Sequence, residues 1–212
     1  MAKAKICGLT TPEGVEAALE GGAAALGFMF FDRSPRNVGP ETAARLAAPV
    51  RGRARTVAVV VDPDDAFLDR LTAAFRPDLI QLHGSESPAR AAQVAARTGC
   101  GLIKVLPVSD SSDIAAAAAY EPVVEHLMFD ARPPKDADRP GGLGTAFDWT
   151  LLSGRTFSRP WFLAGGLDPW NVEEALRLSG APLADVSSGV ERGPGVKDPA
   201  LISAFLQAVR RA

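Results

Sequence analysis

Cysteine is scarce in this chain: Cys7 and Cys100 are the two in 212 residues, far apart and without a CxxC pair. That excludes a disulfide framework and a thiolate zinc site, and it fits a reducing cytosol. Long apolar runs are missing too, and none approaches the roughly 18–20 residues of a membrane span. The first run is short and holds Lys3 and Lys5, so no signal-peptide core is expected there. Charge of one sign is also lacking. With 23 basic and 25 acidic residues the formal net charge is -2, and Lys and Arg are scattered, which excludes a basic field for nucleic acid. No low-complexity segment or domain linker breaks the chain. What is there is ordinary for a globular protein: 47% hydrophobic and 23% charged residues. We therefore expect one soluble cytoplasmic domain over 1–212, with neither nucleic acid nor membrane as partner.

Short apolar runs recur at 3–7, 25–30, 55–61, 79–82, 102–106, 126–130, 161–164 and 184–186, separated by segments of helical periodicity. The pattern reads as eight βα units. Val57-Ala58-Val59-Val60-Val61 is apolar at every position, as a parallel strand covered on both faces must be. In the last helix Ile202, Phe205, Leu206 and Val209 fall on one face. Thr11-Pro12, Ser87-Pro88, Asp168-Pro169 and Asp198-Pro199 each pair a capping side chain with proline at the first helical position. Gly21-Gly22, Gly99 and Gly180 stand where helices stop. Eight units in this length predict a small α/β (β/α)8 TIM barrel. An open doubly wound sheet is the alternative, but the first βα turn has no GxGxxG. The segment 131–147, rich in Pro, Gly and charge, reads as an active-site loop after the sixth strand.

A barrel of this kind carries its active site at the C-terminal strand ends. The residues there are Cys7, Asp62, His83, Asp130, Gly165-Gly166 and Ser187-Ser188-Gly189, with Arg36 in the loop after strand two. The small residues closing strands seven and eight allow backbone N–H groups to converge on an anion, and two consecutive loops of this kind favour a phosphorylated small-molecule substrate. Gly141-Gly142-Leu143-Gly144 adds further amides. Cys7 sits where a thiolate meets substrate, whereas Cys100 lies at the opposite end and reads as structural. Asp130 is a general acid or, with equal weight, a cap or an ion-pair partner of Arg132 or Lys135. Asp62 reads as the cap of the third helix and Asp148 as another cap. A lone histidine is more often structural, which holds for His83 and more so for His126. Arg36 is either a bidentate carboxylate grip or a solvated charge. Lys104, within strand five, is a candidate Schiff-base lysine or a barrel-interior ion-pair residue.

In order along the chain, Lys5-Ile6-Cys7-Gly8, Gly27-Phe28-Met29-Phe30, Ser34-Pro35-Arg36, Gln81-Leu82-His83-Gly84, Phe147-Asp148-Trp149, Leu163-Ala164-Gly165-Gly166-Leu167, Asp185-Val186-Ser187-Ser188-Gly189-Val190-Glu191 and Pro194-Gly195-Val196-Lys197-Asp198 resemble the motifs of phosphoribosylanthranilate isomerases. Each motif alone is weak, and the ordered set is highly specific. The resemblance implies a (β/α)8 barrel of tryptophan biosynthesis performing an Amadori rearrangement without a cofactor or metal. It implies Cys7 as general base, Asp130 as general acid, and Arg36 as the clamp on the anthranilate carboxylate. Asp185 then hydrogen-bonds a sugar hydroxyl. His83 and the amides of Gly142, Gly144, Gly165, Gly166, Ser188 and Gly189 complete the substrate and phosphate contacts. Leu143 departs from the Thr or Ser common at that place, which removes a side-chain phosphate contact but leaves the amides. The resemblance also implies a monomer or homodimer. The rivals are the histidine-pathway Amadori isomerase, a Schiff-base aldolase using Lys104, and a phosphate-binding barrel without catalysis.

Overall fold

The computed structural model describes residues 1–132, 141, 142, 144 and 146–212. Eight parallel strands close into a barrel in sequence order. They are β1 Lys3–Cys7, β2 Ala25–Phe30, β3 Arg55–Val60, β4 Leu79–Leu82, β5 Gly101–Val108, β6 His126–Ala131, β7 Trp161–Leu163 and β8 Leu183–Val186. Lys5↔Asp185 and Cys7↔Gly27 are among the pairs that join β1 to β8 and β2. The all-apolar runs became strands because parallel strands are covered on both faces: one side chain in two meets the helices, the other the barrel lumen.

Side-chain parity divides the barrel into two cores. Residues such as Ile6, Leu26, Ala58, Ile80, Leu102, Leu127 and Leu163 pack outward against the helices. Ala25, Val57, Val59, Leu79, Ile103, Val105, Met128 and Phe162 fill the lumen. The same inward parity, carried toward the C-terminal strand ends, brings Cys7, Gln81, His83, Asp130 and Asp185 into a shared polar layer. The site is thus built on strands whose positions are set by an apolar floor beneath them.

The outer ring comprises α1 Pro12–Glu20, α2 Pro40–Ala47, α3 Asp65–Ala74, α4 Pro88–Thr98, the short α5 Ser111–Ile114 and α6 Ala117–Tyr120, α7 Val172–Ser179 and α8 Pro199–Arg211. Thr11, Ser87 and Asp198 cap α1, α4 and α8 as expected, each accepting from backbone N–H groups of the first turn. Gly99 and Gly180 end α4 and α7 in left-handed conformation. On α8 the four apolar residues of the periodic face are all buried. No helix is long and apolar enough to cross a membrane among the described residues.

Three expectations need correction. Asp62 does not cap α3; Asp64 does, accepting from Phe67 N at 2.6 Å. Asp62 instead accepts from the amide and hydroxyl of Ser85, at 2.8 and 3.1 Å, and so ties the β3 loop to the β4 loop. Asp168 caps a turn rather than the helix proper: it accepts from Trp170 and Asn171, and α7 begins only at Val172. The sixth unit carries a 3₁₀ turn at Trp149–Leu152, capped by Asp148 as expected, in place of an α-helix. After β8 the chain adds an antiparallel hairpin, β9 Glu191–Gly193 with β10 Val196–Lys197, before α8.

Candidate active site

The polar layer opens into a cleft at the C-terminal barrel mouth with about 790 Å³ of empty space, part of it open to solvent. Cys7, Arg36, His83, Asp130, Gly142, Gly144, Gly165, Gly166, Asp185 and Ser188 all line it. One expected residue does not. A side chain on Gly189 would run into the backbone of Leu167, so the glycine lets the β7 and β8 loops touch. Part of the loop after β6, including Leu143 and Lys135, lies outside the described residues.

Cys7 is 4% exposed and closes β1 beside Gly27 of β2. A methyl group on Gly27 would stand 3.0–3.1 Å from Lys5 Cε, Lys5 Nζ and Cys7 Sγ, so the glycine leaves room for the lysine and thiol to share one spot. Lys5 Nζ donates to Asp185 Oδ1 at 2.7 Å inside the barrel. Burial pushes the Cys7 thiol above its ordinary value of 9.0; the positive charge of Lys5 pulls against this, and Asp185 adds to the rise. Lys5 feels burial as a downward push, but Asp185 and Cys7 outweigh it and the ammonium is held above 10.5. Lys5 is thus a charged partner for a thiolate, already balanced by Asp185 before any substrate enters.

Asp130, at the end of β6, is 8% exposed and faces the cleft from three strands away around the barrel. Its Oδ1 accepts from its neighbour's amide, Ala131 N, at 2.8 Å, which leaves Oδ2 toward the cavity. The ion-pair alternative through Arg132 does not hold: that guanidinium pairs with Asp113 and also donates to Ser109 Oγ. His83 Nε2 stands 3.4 Å from Asp130 Oδ2 without a hydrogen bond between them, and Gln81 Nε2 lies 3.4 Å from His83 Nδ1. Gln81 Oε1 and His83 Nε2 are buried with no partner among the described residues. Two unsatisfied polar atoms at a cleft lined by an acid are available to a ligand. Gln81 was missed in the sequence; its signal is an amide in a strand that is otherwise apolar.

Arg36 is neither exposed nor solvated. Its Nε and Nη2 reach Glu191 Oε1 and Oε2 at 2.7 and 2.8 Å, and it lies directly over Gly8, where a side chain would meet Arg36 Cδ at 2.5 Å. Lys197 Nζ joins the same carboxylate at 2.7 Å and also donates to Ser187 O at 2.8 Å. Glu191 and Lys197 appear in the sequence only as members of two motifs. Nothing in their spacing marks them as partners of a residue more than 150 positions earlier.

Three loops meet above this layer. Gly165 and Gly166 adopt positive φ of 86° and 64°, and a side chain on Gly165 would stand 2.6 Å from Ala131 N. Gly144, also at positive φ, leaves Ser188 Oγ 3.8 Å from the place its own side chain would occupy. Close backbone approach between loops in this manner suits amide recognition of a phosphate.

Lys104 is paired, as one expectation held, but it is not in the barrel interior. It shares the outward parity of Leu102 and Leu106, donates to Glu86 Oε2 and Gly84 O at 2.7 Å, and sits 5.7 Å from the Tyr120 ring centroid. A lysine on the helix side of the wall is not placed for a Schiff base at the mouth. His126, at the N-terminal end of β6, packs 5.4 Å from the Phe162 ring and is held below its ordinary pKa by burial. Cys100 donates to Pro77 O at 3.3 Å, far from the cleft.

A model of the N-(5'phosphoribosyl)anthranilate (PRA) isomerase family matches residues 4–208. The chain belongs to that family. An N-(5'-phosphoribosyl)anthranilate isomerase of Caulobacter vibrioides is 68% identical over 210 residues, covering 99% of this chain and 96% of the relative. One from Paracoccus denitrificans is 54% identical, covering 95% and 94%. The crystal structure of phosphoribosyl anthranilate isomerase from Thermotoga maritima superposes with a TM-score of 0.89 at 32% identity, over 100% of both chains. A structure of the isomerase in complex with reduced 1-(o-carboxyphenylamino)-1-deoxyribulose 5-phosphate has a TM-score of 0.86 at 31% identity, also over 100% of both chains. Membership in the isomerase family disposes of the aldolase and of a merely ligand-binding barrel.

Proposed function

We propose that this phosphoribosylanthranilate isomerase chain, a single domain over residues 1–212, converts N-(5'-phosphoribosyl)anthranilate to 1-(2-carboxyphenylamino)-1-deoxyribulose 5-phosphate with Asp130 as general acid and Cys7 as general base. The observation that carries the assignment of roles is the placement of a buried thiol on β1 and a buried carboxyl on β6 along one cleft, with glycine loops at its edge. Asp130 donates its proton to the furanose ring oxygen, and the ring opens as the C1–O bond breaks and the substrate nitrogen supplies its lone pair. The product of this step is an iminium with a free hydroxyl where the ring oxygen was. The Cys7 thiolate then removes the C2 proton, and the C–H electron pair flows to the iminium nitrogen, giving an enolamine. Loss of the enol proton and protonation at C1 complete the ketone. Electrons only move within the substrate, so the nitrogen takes the part an external electron sink would otherwise play.

The Lys5–Asp185 pair supports this reading from below the thiol. Lys5 holds positive charge where the thiolate forms, and Asp185 keeps an oxygen at the cavity wall for a sugar hydroxyl. Arg36 is placed to take the anthranilate carboxylate, and the amides around Gly142, Gly144, Gly165, Gly166 and Ser188 to take the phosphate. His83, with its unpartnered Nε2 beside Asp130, is a further contact for substrate. Mixing purified protein with freshly made substrate and following the fluorescence of the anthranilate group tests the whole. Decay no faster than in buffer rejects the reading, and growth of a tryptophan auxotroph lacking this step checks it in the cell. A cytoplasmic monomer or homodimer is the form proposed, and sedimentation of the purified chain distinguishes the two. Solved neighbours include monomers generated from the dimeric Thermotoga maritima enzyme.

A further inference from the structure

We propose that the β9–β10 hairpin, through Glu191 and Lys197, is the positioning element that presets Arg36 to select an aryl carboxylate end-on. The proposal rests on the reading of Arg36 as the carboxylate clamp. A guanidinium has five N–H donors in a rigid plane. Glu191 takes the edge formed by Nε and Nη2, so the side-on grip is already used inside the protein. On the outward edge, Nη2 donates to Gly142 O at a long 3.5 Å, a weak bond that a second planar anion arriving end-on would replace. Gly142 packs close to that edge, since a side chain there would stand 2.8 Å from Nη1, so only a glycine leaves an anion room to reach it.

Glu191 is itself held from two sides, by Lys197 Nζ at 2.7 Å on Oε1 and by Gly195 N at 3.1 Å on Oε2. Lys197 is anchored in turn on Ser187, at 2.8 Å to the carbonyl and 3.2 Å to the hydroxyl. The hairpin clasps the loop that carries Arg36, since Gly195, at φ 78°, leaves no room for a side chain against Pro35 O, 2.6 Å away. Neither strand of the hairpin belongs to the barrel.

Charge favours an anion here, and direction decides which one. Arg36, Lys197 and Glu191 have side chains only 2–4% exposed, and together they hold two positive charges and one negative. A surplus buried charge is costly unless an anion meets it. A ligand bearing a carboxylate on its aromatic ring completes the cluster, and one lacking it leaves the surplus in place. The hairpin therefore turns Arg36 from a general cation into a recognition element of fixed direction.

The test compares two stable ligands by calorimetry: reduced 1-(o-carboxyphenylamino)-1-deoxyribulose 5-phosphate and its phenyl counterpart without the carboxylate. The unmodified chain should prefer the carboxylated ligand by about tenfold or more, the range of a charge-assisted bond. Arg36→Met should bring the ratio of the two Kd values close to one. Glu191→Gln enlarges the surplus charge, which alone would strengthen the preference, but it frees the guanidinium to turn. Because direction governs, it should lower that ratio several-fold while binding of the phenyl ligand stays nearly constant. The double variant should show no further loss beyond Arg36→Met alone, because Glu191 acts through Arg36. If Arg36→Met keeps the preference, the clamp reading itself fails. If Arg36→Met abolishes it and Glu191→Gln leaves it intact, the clamp stands and the positioning proposal is overturned. Should Glu191→Gln prove too unstable to titrate, Gly195→Ala keeps every charge and displaces the hairpin from Pro35. It must also lose the preference, and an unchanged ratio there overturns the proposal equally.

Discussion

A buried thiol asked to act as a base faces a conflict, because burial favours the protonated form. In this chain burial wins: Cys7 is held above 9.0 even with Lys5 and Lys197 pulling the other way. At neutral pH the thiolate of the free enzyme is then a minority species. The value of kcat/KM should therefore climb with pH, about tenfold per unit, until the thiol itself titrates. A profile flat between about pH 6 and 9 contradicts a thiolate base in the free enzyme. Lys5→Met removes the nearest positive charge and should move the inflection to still higher pH. Cys7→Ser and Asp130→Asn should each lower kcat by about 10²–10⁴-fold, the usual worth of one general acid or base. Near-normal turnover in either variant removes that residue from the mechanism.

At the scale of elements, the two glycine loops show why small residues end β7 and β8. Gly165 stands where a side chain would meet both Ala131 and Asp130 Oδ1, the latter at 2.9 Å. Gly165→Ala should thus disturb the acid and the loop together, lowering both substrate affinity and kcat by about tenfold or more while the barrel stays folded by circular dichroism. An alanine variant with unchanged kinetics contradicts the close approach. The strands themselves were legible in the sequence almost to the residue, because parallel barrel strands are apolar throughout and so stand out from their amphipathic helices. Three of the four helices with a cap and proline were equally plain, the exception being α7, which begins past Asp168-Pro169. The sixth unit was not, since Trp149–Leu152 forms a single 3₁₀ turn with no period to read. Within the site, Cys7 and Asp130 were visible as chemically capable residues at strand ends. The Arg36–Glu191 pair was invisible, because Arg36 lies in the loop after β2 and Glu191 opens β9, and only the closed barrel brings them together. Lys104 misled for the opposite reason: its sequence place suits a catalytic lysine, but strand parity turns it toward Glu86.

At the scale of the whole molecule, closure of the barrel brings β1 beside β8 and sets α8 against both α1 and α7. The chain's two ends are thereby fastened to one another. The hairpin that precedes α8 adds the buried Arg36–Glu191–Lys197 cluster to this seam. Burial tends to raise the Glu191 carboxyl, but Arg36 and Lys197 outweigh it and hold it below its ordinary 4.5. A carboxyl with a lower pKa folded than unfolded binds fewer protons in the native state, so its contribution to stability is present above pH 4.5 and disappears as the pH falls through the folded value. The chain should consequently lose stability on acidification below about pH 4.5 more steeply than its Glu191→Gln variant, which has no proton to take up there. Urea melts of both proteins at neutral and acid pH would decide it. Parallel slopes of stability against pH in the two chains would mean that Glu191 titrates normally and that its ion pairs hold nothing at the seam. The closing helix supplies the independent measure of how much that seam matters. Phe205 on α8 is fully buried. Truncation to alanine should cost about 3–5 kcal/mol, the range for a core phenylalanine. At about 2–4 °C per kcal/mol for a domain of this size, the melting temperature should fall by roughly 6–20 °C. A drop of a degree or less would show that α8 is not integral to the closed barrel. Retained turnover below the new melting point is expected, because Phe205 lies in the helix-facing core and not on the cleft.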